Sequence, residues 1–121
     1  MTVTKVQIYG IPNCDSVRKA RKWLDANAVP YMFHDFKKEG AAQARLTIWD
    51  DAVGWETLLN KRGTTFRKLS DAQKAALDRE KAIALMEAQP SLIKRPVVEH
   101  DGAVLVGFDE GRWGEVFAPK G

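Results

Sequence analysis

Hydrophobic and polar positions change their period several times along the chain. In TVTKVQIYG, residues 2–10, β-branched residues partly alternate, Val6 and Ile8 share a face, and Gly10 and Pro12 close the run. That pattern predicts a strand over 3–9. From Cys14 onward Val17, Ala20, Leu24 and Ala28 recur at helical spacing, with Arg18, Lys19, Arg21, Lys22 and Asp25 on other faces. This predicts an amphipathic helix ending at 26–28, before Pro30. YMFHDF, residues 31–36, predicts a second strand, and strand, crossover helix and strand of this length imply a parallel, right-handed pair.

Residues 37–89 read as mostly helical, with a break at Gly63 and Thr64. Ser70 and Gln73 have capping-box spacing, so a helix is expected to start at Asp71. Another covers 79–88, with Ile83 and Met86 facing inward, and Pro90 stops it. In RPVVEHDGAVLVGF two β-rich runs flank Asp101-Gly102, a favoured two-residue turn, and predict a hairpin. DEGRWGEVFA predicts a last helical segment, weakened by Gly111 and Gly114. The order is β-α-β, a helical insertion at about 40–90, then β-β-α. A four-stranded mixed sheet with flanking helices accommodates it, giving an α/β class whose familiar case is the thioredoxin-like fold.

The chain's 121 residues suit one domain, 1–121. Hydrophobic residues at 45% and charged residues at 29% fit a globular protein. No apolar run approaches the roughly 20 residues of a membrane span. The N-terminus lacks a signal-peptide pattern, and a lone cysteine excludes an internal disulfide, so a cytoplasmic monomer is expected. Net charge is +3, from 19 basic and 16 acidic side chains. This mild bias fits anionic small molecules as well as nucleic acid. His34 and His100 have no metal-ligand spacing, so no metal is expected, and His34 reads as a packed or capping histidine. Trp23, Trp49, Trp55 and Trp113 read as core and helix-packing residues rather than a nucleic-acid platform. Phosphate loops and serine elbows are absent.

The chemistry centres on Cys14. A thiol at the first turn of a helix meets unpaired backbone N–H groups and the positive end of the helix dipole, and both favour the nucleophilic thiolate. Arg18 adds charge on the same face. Asp15 opposes it, or caps the helix with Ser16. Buried filler remains the competing reading of a free cysteine, and position alone leaves the two balanced. Because no second cysteine exists, an outside thiol must complete any cycle, and glutathione is the obvious candidate. Arg95, before Pro96 at a strand start, can offer a planar fork to an oxyanion or carboxylate; this X-Pro bond is a candidate for the cis form. In NKRGTTFRK, residues 60–68, Arg62 beside Gly63 is the cation to watch, the rest reading as a solvated basic face. Asn13, next to the thiol, joins Arg95, Arg62 and Arg18 as a substrate-binding candidate.

YGIPNCDSVRKARKWLDANAVPYMFHDFKKEG, WETLLNKRGTTFRKL and LIKRPVVEHDGAVLVGF resemble the arsenate reductase-like (ArsC/Spx) family, closest to its YffB-type branch. The resemblance covers nearly the whole chain and implies a thioredoxin-like fold with a helical insertion. It implies that Cys14 is the catalytic cysteine and that Arg95 is the arginine before a cis-proline. The arsenate-reducing branch carries two further arginines, where this chain has Asn60 and Gly107-Phe108, with Arg62 as a possible substitute for the first. That branch also has a histidine where this chain has Gly10. Spx regulators use a C-x-x-C switch whose second position is Val17 here. The expected activity is that of a glutathione-dependent thiol oxidoreductase, with glutathione as co-substrate and an oxidised small molecule or protein as substrate. The alternatives are a glutathione-linked arsenate reductase and, in another class, an RNA polymerase-binding regulator without a redox switch.

Overall fold

In the computed structural model, which describes residues 6–117, β1 (Val6–Gly10), β2 (Tyr31–Asp35), β3 (Val97–His100) and β4 (Ala103–Val106) form one sheet in the order β2-β1-β3-β4. Residues 3–5 of the first expected strand and residue 118 of the last expected helix lie outside the described residues. β1 and β2 run parallel and are joined by α1 (Asp15–Ala26), whereas β1–β3 and β3–β4 are antiparallel. Asp101 and Gly102, with φ of 47° and 80°, turn the β3–β4 hairpin, both in the positive-φ region that such a two-residue turn requires. The second strand is one residue shorter than its pattern suggests, because Phe36 is buried as the first residue of α2 (Phe36–Glu39).

Two compact units divide the chain: the sheet unit, from residues up to Asp35 and from Arg95 onward, and an insertion over Phe36–Lys94. The sheet unit buries Val6, Ile8, Val98 and Leu105 from one sheet face against Ala20 and Leu24 of α1 and Trp113 of α8 (Glu110–Val116). This is the stripe the helical spacing marks. Trp113 is enclosed by edge contacts with Trp23 at 5.8 Å and Phe108 at 4.9 Å between ring centroids. On the opposite sheet face His34 is a packed histidine, stacked on Tyr9 at 4.4 Å and bonded to Gln7 Oε1 at 2.6 Å.

The insertion is helical: α3 (Gln43–Val53), α4 (Trp55–Leu58), α5 (Thr64–Arg67), α6 (Asp71–Lys74) and α7 (Arg79–Ala88), followed by a 3-10 turn at Pro90–Leu92. Its core includes Leu46, Trp49, Leu58, Ile83 and Met86. Asp50 ties it together, receiving the Trp55 N–H at 2.7 Å and the Arg79 guanidinium at 2.5 Å. The break expected at Gly63 and Thr64 includes Gly63 but not Thr64, which already opens a helix. The capping box forms as the spacing requires: Gln73 N–H donates to Ser70 Oγ at 3.1 Å and Ser70 N–H to Gln73 Oε1 at 2.8 Å. Ser70→Ala is expected to lower unfolding free energy by about 1 kcal/mol in urea titration, the usual cost of a lost N-cap.

Candidate active site

The chain leaves β1 at Gly10 and turns over Pro12 and Asn13, closed by the Cys14 N–H bonded to the Ile11 carbonyl at 3.2 Å. Cys14 itself is the N-cap of α1, with extended φ and ψ of −93° and 130°. Its carbonyl accepts the Arg18 N–H at 2.9 Å and so opens the helix. Asp15 is therefore not the cap. It is exposed in the first turn and ion-paired with Arg18, so the carboxylate that opposed a thiolate is neutralised by the cation expected to support one.

The thiol is partly buried. Burial pushes its pKa up, but the Val17 N–H, the hydrogen bond and positive charge of Arg95, and the Ser16 N–H together outweigh burial and hold it below the ordinary thiol value. The Cys14 side chain makes no helix-cap hydrogen bond, so the amides favour the thiolate as positive dipole ends of the first turn. Arg95 enters from the segment before β3, and the Arg95–Pro96 peptide bond is cis. Sequence spacing marked both Cys14 and Arg95, and the structure brings them together. The Val17 and Ser16 amides were not singled out, although unpaired N–H groups at the first turn implied donors there.

The remaining candidates are placed differently. Asn13 is exposed in the turn before Cys14. Arg62 lies in the insertion, where its N–H donates to Asn60 Oδ1 at 3.1 Å, and the two line a pocket with Lys61, Lys94 and Glu56. Asn60 thus orders its own turn, as asparagine often does by bonding the backbone two residues on. Among the described residues no group of three or more His, Cys, Asp or Glu is placed to hold a metal. No helix there is long and apolar enough to cross a membrane.

Two of the departures from the arsenate-reducing pattern have steric causes. A Cβ on Gly10 would stand 2.6 Å from Val17 Cγ2, closer than packed atoms approach, and Val17 is fully buried. A histidine at position 10 would require this valine to move. Gly107 has φ of 81°, a conformation that strains an arginine. Phe108 packs against the core that holds Trp113. Gly10→Ala is expected to cost about 1–3 kcal/mol from overpacking. Combining it with Val17→Ala should cost less than the sum of the single changes, which a double-mutant cycle in urea would show.

Residues 9–116 match the family model described as ArsC family. The chain belongs to the ArsC family. Among solved structures, the YFFB protein is 52% identical, with 94% of this chain and 100% of that one covered and a TM-score of 0.92. An arsenate reductase (ArsC) related protein from Brucella melitensis is 45% identical, with 98% and 99% covered and a TM-score of 0.76. The global transcriptional regulator Spx of Listeria innocua is 28% identical over 87% of this chain and 81% of its own. The mixed sheet with flanking helices is thus the thioredoxin-like fold of ArsC proteins. Family membership relates the chain both to reductases and to regulators, so the activity has to be argued from the site.

Proposed function

We propose that this ArsC-family protein is a glutathione-dependent thiol oxidoreductase acting through Cys14 alone. The observation that carries the reading is the pairing of the Cys14 thiol, at the N-cap of α1, with the Arg95 guanidinium. A lowered thiol pKa raises the fraction of nucleophile at neutral pH. The thiolate attacks one sulfur of a disulfide substrate. The S–S bond breaks, its electron pair leaves on the other sulfur, and Cys14 enters a mixed disulfide. With no other cysteine in the chain, resolution comes from outside. One glutathione thiolate attacks Cys14 Sγ and releases the second substrate thiol. A second glutathione attacks the bound glutathione sulfur, giving glutathione disulfide and regenerating the Cys14 thiolate. Two glutathiones thereby supply two electrons and two protons to one disulfide. A guanidinium has five donors, so Arg95 can face the sulfur and hold a glutathione carboxylate in the same arrangement.

Incubation with hydroxyethyl disulfide and glutathione, coupled to glutathione reductase, is expected to give sustained turnover. Intact mass after quenching is expected to show one glutathione per chain. Neither turnover nor adduct would overturn the proposal. Arsenate in place of the disulfide is expected to give no glutathione oxidation, since glycine stands at position 10 where the arsenate-reducing branch has a histidine. The regulator reading has no dithiol switch to use, because Val17 stands three residues after Cys14 and is fully buried.

A further inference from the structure

Helix α1 carries more than the thiol. Arg18, Arg21 and Asp25 follow an i, i+3, i+7 row, which is one face of the helix that Cys14 opens as its N-cap. A groove of about 480 Å³ lies along α1 and starts at Asp15, the residue after Cys14; Arg18, Lys19, Arg21, Lys22 and Asp25 line it, with Tyr31 of β2 as its wall. Its cations are unevenly used. Arg18 is paired with Asp15. Among the described residues Lys19, Arg21 and Lys22 make no ion pair with a carboxylate. Arg21 is held in place by stacking over the Phe33 ring at 4.3 Å and by donating to the Tyr31 hydroxyl at 3.3 Å. A fixed guanidinium flanked by two exposed ammonium groups suits carboxylates presented along an extended chain.

We propose that this groove docks an acidic segment of a protein substrate and leads its disulfide to Cys14. The inference rests on the thiol oxidoreductase reading and names its substrate class. Charge complementarity selects the occupant. Asp25 borders the far end of the groove, so a continuous phosphate backbone would meet like charge there, whereas a peptide can end its run of carboxylates before it. The Phe33 face, which a nucleic-acid base would need for stacking, is covered by Arg21.

Three cysteine-containing decapeptides, acidic, neutral and basic, each as a 2-thiopyridyl disulfide, provide the test. Attack by Cys14 on the peptide sulfur releases pyridinethione, and the protein is left joined to the peptide. At low salt the acidic peptide is expected to react about tenfold faster than the neutral one, and added salt should remove the difference. Lys19→Glu/Lys22→Glu, two exposed positions, is expected to abolish that preference and leave the rate with hydroxyethyl disulfide unchanged. Equal rates for all three peptides would overturn the groove. A thiol-free acidic peptide, followed by fluorescence anisotropy on Cys14→Ser protein, separates the two readings. Binding that weakens about tenfold in the Lys19→Glu/Lys22→Glu background is expected. No binding defeats the groove whatever Cys14 does. Binding without attack on hydroxyethyl disulfide in the parent protein keeps the surface and defeats its assignment to a Cys14 substrate. A single-stranded oligonucleotide that displaces the peptide at equal charge concentration overturns the choice of a protein segment.

Discussion

Cys14→Ser protein is expected to lose glutathione-dependent disulfide reduction by about a thousandfold or more, the scale seen when a covalent nucleophile is removed. The size follows from the mechanism. A serine hydroxyl at the same N-cap is not ionised by a guanidinium and two amides, and it forms no mixed disulfide. Serine is a favoured N-cap residue, so the helix start should be kept or improved, and unfolding free energy should not fall. Activity and stability are therefore expected to separate. A coupled glutathione reductase assay and a urea titration on the same preparation read both. Retained turnover would move the chemistry away from Cys14 and remove the centre of the proposed function.

Arg95→Ala is the second large effect. It removes the side chain that, among the described residues, both donates a hydrogen bond to the Cys14 sulfur and sets positive charge beside it. A hydrogen bond to a charged group contributes about 1.5–3 kcal/mol, so iodoacetamide alkylation at pH 7 is expected to slow about tenfold or more. The sign with pH is specific. In the parent protein the thiol pKa lies below the ordinary value. Its alkylation should therefore rise with pH through a lowered midpoint and then level off. In the variant the midpoint should move up, so the two rates diverge at neutral pH and converge in alkali, where either thiol is ionised. Thiolates of higher pKa are also intrinsically more nucleophilic, which works in the same direction at high pH. Arg95→Lys keeps charge without the planar fork and should fall between the two. Parallel profiles differing by one factor at every pH would mean that Arg95 affects access to Cys14 rather than its ionisation.

Periodicity carried most of the sheet unit. Val17, Ala20 and Leu24 were marked by spacing and are the buried residues of α1, and Asp101-Gly102 announced the hairpin through turn chemistry. The insertion was less legible because several of its helices are only four residues long. At that length capping and breaks decide the structure, and no period can be read. In the site, Cys14 and Arg95 were found because one precedes a helical pattern and the other precedes a proline. The Asp15–Arg18 pair could not be ordered from sequence. Either residue had a plausible role toward the thiol, and only geometry shows that they face each other. Gly10 was noted as a departure from the arsenate-reducing pattern, yet its cause lies seven residues away in a contact that no local pattern encodes.

That contact ties two positions together. Val17 occupies the space above Gly10 and also stands three residues after Cys14, where a dithiol would need its second sulfur. One methyl-bearing side chain thus closes two other chemistries of the family. A side chain at position 10 has to displace Val17 or meet a smaller residue there, and if that smaller residue is cysteine a dithiol is formed. Residue 17 therefore bears on both the histidine-assisted and the dithiol arrangement, as well as on the single-cysteine chemistry proposed here.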